Sequence, residues 1–111
     1  FFFQVCRRKI IMAREPYVIY NLRNTYHEPG QYEFKIVLDP RRFKNGHLSE
    51  VSCVNSDGKR MIMDVQKWGR KVNCSFNIDD SVPDGVSVLN MILKDDAGRE
   101  VTGRATFWVI K

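Results

Sequence analysis

Gln31-Tyr32-Glu33-Phe34-Lys35-Ile36-Val37-Leu38-Asp39 is the stretch that decides the fold class. Extended, it puts Tyr32, Phe34, Ile36 and Leu38 on one side and Glu33 and Lys35 on the other. A period of two is the pattern of a half-buried strand. It recurs at Val72, Cys74, Phe76 and Ile78, which alternate with Asn73, Ser75 and Asn77. Near the end, Val101, Gly103, Ala105, Phe107 and Val109 alternate with Thr102, Arg104, Thr106 and Trp108. Helix has little support. The longest stretch without strong breakers is residues 1–15, and its Val, Ile and Phe favour strand.

Turn chemistry separates the alternating runs. His27-Glu28-Pro29-Gly30, Asn45-Gly46, Ser56-Asp57-Gly58-Lys59, Trp68-Gly69, Pro83-Asp84-Gly85 and Asp95-Asp96-Ala97-Gly98 recur at intervals of about ten residues. Asp57-Gly58 accepts the positive φ that tight hairpins require. The pattern predicts strands over 3–12, 17–21, 31–39, 48–55, 60–66, 72–78, 86–94 and 100–110. Short strands at this spacing specify a sandwich or barrel. The expected fold is all-β, an antiparallel sandwich of seven or eight strands. The first two strands are also readable as one, broken at Pro16 and switching between sheets.

The 111 residues suit one domain spanning 1–111. With 43% hydrophobic and 28% charged residues the chain is globular, not disordered. Two Trp, four Tyr and seven Phe lean it further toward β. Residues 1–15 read as a leading strand, a cloning remnant or a linker. Phe1-Phe2-Phe3 followed by Arg7-Arg8-Lys9 also fits the end of a removed membrane segment with its basic stop, and Met12 fits a native start. No apolar run reaches the ~20 residues needed to span a bilayer.

The back of the chain resembles bacterial immunoglobulin-like and fibronectin-III-like modules. Val82-Pro83-Asp84-Gly85, then Lys94-Asp95-Asp96-Ala97-Gly98, then Phe107-Trp108-Val109 carry the likeness, mainly within residues 73–109. Pro29-Gly30-Gln31-Tyr32 fits the approach to the second strand of such modules. Val86, Ser87 and Val88 stand where a corner tyrosine is usual, and Arg99 where Asn is usual. The first 25 residues carry no likeness. The resemblance implies an immunoglobulin-like fold outside the cytoplasm, often in tandem, as a spacer, an adhesin domain or an accessory domain of a carbohydrate enzyme. Fold likeness alone does not establish function.

Chemistry-bearing patterns are sparse. Cys6, Cys53 and Cys74 contain no C-x-x-C pair and, with two distant histidines, no zinc pattern. Cys53 and Cys74 suit either a disulfide or two buried thiols. A hydrolase would need His27 or His47 to meet a carboxylate in a cleft, and no nucleophile or metalloprotease motif occurs. Asp79-Asp80, Asp84 and Asp95-Asp96 could share Ca²⁺. Their plainer role is local turn bonding. Asn73-Cys74-Ser75 fits a glycosylation pattern placed mid-strand. The reading is therefore non-enzymatic, with no cofactor and no metal.

Two basic turns remain. Pro40-Arg41-Arg42-Phe43-Lys44 and Lys67-Trp68-Gly69-Arg70-Lys71 each combine cations with one aromatic. Such pairing suits phosphate or sulfate beside a stacked base or sugar ring. The competing reading has Trp68 closing an open end of the core and the arginines simply solvated. Trp108, opposite Phe107, is either exposed for contact with another domain or covered near the strand end. Val5, Ile10 and Ile11 with the Phe triplet could pair with another chain's sheet edge.

Net charge +5 permits an acidic protein, nucleic acid, an anionic glycan or a lipid surface as partner, but its spread along the chain favours the plainer role of keeping the domain in solution. The expected function is an extracytoplasmic module for interaction, adhesion or spacing, whose partner is a protein or a neighbouring domain. The alternative is binding of nucleic acid or an acidic glycan through Arg41, Arg42, Lys67, Trp68, Arg70 and Lys71.

Overall fold

The alternating runs become strands in the computed structural model, which describes residues 15–111. In chain order these are β1 (Tyr17–Tyr20), β2 (Thr25–Tyr26), β3 (Gly30–Leu38), β4 (His47–Val54), β5 (Met63–Trp68), β6 (Lys71–Ile78), β7 (Gly85–Lys94) and β8 (Glu100–Val109). No helix occurs among the described residues. The expected strand 3–12, Cys6 and the apolar-basic start lie outside them.

The strands form two four-stranded sheets, ordered β1-β3-β6-β5 and β2-β8-β7-β4. Every pairing is antiparallel except β2 with β8. Two hairpins, β5–β6 and β7–β8, stay within a sheet. The other connections cross between sheets. This is an all-β sandwich, as the alternation requires.

Three boundaries differ from the sequence expectation. A switch between sheets falls at residues 21–24, where Asn21 takes φ 69°; the expected break at Pro16 depends on residues 3–12, which lie outside the described residues. β2 is only two residues long, too short for any periodicity to register. Residues 60–62 do not belong to β5. Arg60 still bridges Val54, and the Met61 N–H donates to the Cys53 carbonyl at 2.8 Å. The chain is therefore still held against β4 at this point and joins β6 only at Met63.

The inward faces follow the alternation. Phe34, Ile36 and Leu38 of β3 and Val72, Cys74, Phe76 and Ile78 of β6 meet Leu89, Met91 and Leu93 of β7 and Phe107 and Val109 of β8 in one core. Aromatic edges lock the sheets together. Phe76 lies 5.7 Å from Phe107, and Tyr26 lies 5.4 Å from each of them, between ring centroids. Each such side chain contributes about 1.5–3 kcal/mol by burial. Tyr32 is only half-buried, and its hydroxyl donates to the Glu28 carbonyl at 2.6 Å. Cys53 and Cys74 are both buried and both free.

Candidate functional site

The tip of the β5–β6 hairpin is Gly69-Arg70, with Gly69 at φ +61°. That left-handed residue at the first turn position lets two residues reverse the chain. The register then aligns Trp68 with Lys71, Lys71 with Val37, and Val37 with Val18. Val37 precedes the buried Leu38, so this row lies on the outer face of its sheet. Trp68 is 58% exposed and Val18 49%. The adjacent row is Gln66, Asn73, Lys35 and Tyr20. Trp68 therefore does not close the core.

A shallow hollow of about 400 Å³ opens beside this row, lined by Val37, Leu38, Pro40, Trp68, Gly69, Arg70 and Lys71. The Leu38 N–H donates to the Arg70 carbonyl at 3.0 Å, which fixes the hairpin tip against the end of β3. The two basic turns thus share one end of the sandwich. Only part of the expected set converges there. Lys67 aligns with the inward Val72 and so lies on the opposite parity from Trp68. Neither Arg41 nor Arg42 lines the hollow. The Arg42 Nε sits 3.3 Å from the Asp39 carboxylate, and the Arg42 carbonyl accepts from Arg99 at 3.0 Å. Arg42 is therefore committed to its own loop. By contrast, Lys35, Lys67, Arg70 and Lys71 form no ion pair among the described residues.

Trp108 occupies the outer face of the other sheet. It aligns with Thr25 on one side and Val86 on the other, and is 51% exposed while Phe107 is buried. The next row is Thr106, Val88 and Val54. Trp108 therefore ends an apolar strip of Val86, Val88 and Val54. No cation stands in its own row.

The remaining candidates resolve into structural roles. Asp79 accepts from the Ser81 hydroxyl and from the Ser81 N–H, and these bonds hold its carboxyl below the usual carboxylate range. Asp95 accepts from the N–H groups of Ala97 and Arg99, and Asp84 from that of Lys111. Asp79 and Asp95 thus build local turns, while Asp84 holds Lys111 across 27 residues. Among the described residues no three His, Cys, Asp or Glu groups converge on a metal position. His27 Nδ1 lies 3.0 Å from the Ile110 carbonyl, and His47 opens β4 opposite Lys94. Burial pushes the thiols of Cys53 and Cys74 up to about 11, which suppresses the nucleophilic thiolate.

One feature escaped the sequence reading. A cavity of about 480 Å³ lies beside the start of β5, floored by Met61, Phe76 and Val82 and rimmed by Asn55, Arg60, Ile62 and Asn77 among others. Ile62 is 91% exposed at its mouth. Asn55 is buried, and its Oδ1 accepts no hydrogen bond among the described residues. A buried acceptor left in that state costs about 1–3 kcal/mol. The sequence signal was Met61-Ile62-Met63, an apolar run that breaks the alternation of its neighbours.

No protein-family model matches the chain, and no curated protein is detectably similar to it.

Proposed function

We propose that this domain is a non-enzymatic interaction module of immunoglobulin-like type, serving adhesion, assembly or spacing within a larger extracytoplasmic protein. The observation that carries the reading is the placement of the two tryptophans. One stands on each outer face, roughly half exposed, Trp68 in a row with Val37 and Val18 and Trp108 in a row with Val86. Large exposed aromatics next to apolar neighbours favour contact with a protein partner or adjoining domain. The sheet partition adds support. β1, β3, β6 and β5 in one sheet, with β4, β7 and β8 in the other, is the division of an immunoglobulin constant-type sandwich. The turn motifs of residues 73–109 and the resemblance they carry favour an extracytoplasmic setting.

The test is site-directed photocrosslinking in the intact parent protein, with benzoylphenylalanine at position 68 or 108. The expected result is a crosslink from each position to a neighbouring polypeptide. Silence from both positions overturns the reading.

A second reading is favoured by Lys35, Arg70 and Lys71 beside Trp68 and Tyr20, cations that form no ion pair among the described residues. It makes the Trp68 face a binding surface for an anionic polymer, a nucleic acid or an acidic glycan. Retention on heparin that falls steeply with salt, and is lost in Trp68→Ala and Arg70→Ala, would establish it. Weak retention unchanged in both variants eliminates it.

A further inference from the structure

We infer that the outer face of the β1-β3-β6-β5 sheet is self-complementary and docks a second copy of this chain across a two-fold axis. The inference rests on the interaction-module reading and names the partner of its Trp68 face. Phe34, Cys74 and Val65 align in one row whose side chains point into the core. Outward-pointing rows flank it on both sides. On one side Asn73 lies between Lys35 and Gln66, and on the other Ser75 lies between Glu33 and Asp64. Beyond the first flanking row stands that of Trp68, Lys71 and Val37. Beyond the second stand Gln31 and Asn77, and Ile62 continues the outward series Gln66, Asp64 just before β5. Trp68 is 58% exposed and Ile62 91%.

A two-fold axis laid over the Phe34-Cys74-Val65 row turns one face onto the other and exchanges its two sides. Lys35 then meets Glu33 of the second copy, Gln66 meets its Asp64, and Trp68 meets its Ile62. Each contact occurs twice, as an isologous interface requires. Charge selects this orientation. The exposed cations of the paired rows, Lys35 and Lys71, both lie on the Trp68 side, and the exposed anions, Glu33 and Asp64, both lie on the Ile62 side. An axis along the strands would instead set cations over cations, which is repulsive. Lys59 and Arg60 also lie near Ile62, but on the flank toward the other sheet, where Arg60 bridges Val54. Arg23 stacks over the rings of Tyr26 and Tyr32 at the sandwich edge. A polyanion or an acidic protein suits only half of the face, because Glu33 and Asp64 stand in the other half. Sheets packed face to face keep their strand directions within about 30° of each other, so the rows stay opposed. Strands about 4.8 Å apart, with same-face residues about 6.7 Å apart along each, give this grid of four strands and four rows a projected area of roughly 500 Å² per copy. That lies at the small end of specific interfaces, near ~1,200 Å² of total buried surface, so the dimer dissociates on dilution.

The test is sedimentation equilibrium of the full 111-residue chain, from about 1 µM to about 1 mM. The expected result is a monomer–dimer equilibrium that weakens as salt is added. Trp68→Ala and Ile62→Ser should each weaken the dimer about tenfold, with the fold kept by circular dichroism because both side chains are exposed. Lys35→Glu and Glu33→Lys should each weaken it by a similar factor of about ten, since each sets like charges opposite one another twice. An equimolar mixture of those two variants should dimerise again, because an acidic face then meets a basic one. Trp108→Ala should dimerise as wild type. A monomer at every concentration overturns the pairing. So does a dimer unmoved by Ile62→Ser, or one that the mixture of charge variants fails to restore. A monomer retained on heparin through Trp68 overturns it in favour of the polyanion reading. A monomer that still photocrosslinks from position 68 to another polypeptide overturns the pairing and leaves the broader interaction reading standing. Silence from both photocrosslinking positions removes that reading itself.

Discussion

Phe43 and Trp68 belong to segments that look alike in sequence, each with a proline or glycine and three cations around one ring, yet Phe43 is fully buried and Trp68, at the end of β5, is 58% exposed. The difference lies in what each turn connects. Residues 39–46 carry the chain from β3 in one sheet to β4 in the other, across the end of the sandwich. A ring on such a bridge falls between the sheets and plugs the core. Residues 69 and 70 join β5 to β6, neighbours in one sheet, so the flanking side chains keep the pleat and Trp68 stays outside. The cations differ less than the rings. Around Phe43, Arg42 pairs with Asp39, and the Arg99 guanidinium stacks 5.0 Å above the ring centroid. Arg41 and Lys44 beside Phe43, like all three cations around Trp68, have no ionic partner among the described residues. A basic-aromatic turn is a candidate binding surface only when it does not have to cross the fold.

The most severe way to break this contrast is Phe43→Ala. Emptying a fully buried aromatic site should cost about 3–5 kcal/mol, read as a lower urea midpoint with an unchanged slope. A loss below about 1 kcal/mol would mean that the ring does not plug the core, and the distinction between bridge and hairpin would fall with it.

The same contrast explains what was legible beforehand. Alternation alone placed β3, β6, β7 and β8 to within a residue or two, and it placed Trp108 opposite Phe107, because in these strands one face is buried without interruption. It put Trp68 in a turn, where the structure makes it the last residue of β5. It could not say that Phe43 would go in and Trp68 out, since that depends on which strands are neighbours, and pairing is a non-local property. β2 was illegible for a simpler reason, since two residues carry no period. The Asn55–Ile62 cavity was hidden because it is defined by where β5 fails to begin, and the expected strand 60–66 had covered it.

The glycines of the two turns sharpen the comparison at intermediate cost. Gly46 is needed for room. A Cβ there would stand 2.1 Å from the Phe43 ring, and the Gly46 N–H donates to the Phe43 carbonyl at 3.1 Å. Gly46→Ala should therefore cost about 2–3 kcal/mol by overpacking. Gly69 is needed for its dihedral. Nothing lies within 4 Å of its Cβ position, but φ is +61°. Gly69→Ala should cost only about 1 kcal/mol, the strain of a left-handed alanine. Thermal melts of the two variants check the order. The reverse order would mean that the hairpin, not the bridge, holds this end of the sandwich.

Trp68→Ala should have the smallest effect on stability. The ring's neighbours across the sheet are Lys71 and Val37, both on the outer face, and more than half of its surface meets solvent already. Substitutions at such positions stay within about 0.5 kcal/mol, against the several kcal/mol expected for Phe43→Ala. A chemical-denaturation comparison of Trp68→Ala, Phe43→Ala and the double variant reads both values and their coupling. The rings are held by different connections, so the two costs should add to within about 0.5 kcal/mol. A loss above about 2 kcal/mol for Trp68→Ala alone would show that the indole covers apolar core after all. The exposed ring would then be a structural lid, and the outer face around Val18, Val37 and Lys71 would lose the residue that makes it a binding surface.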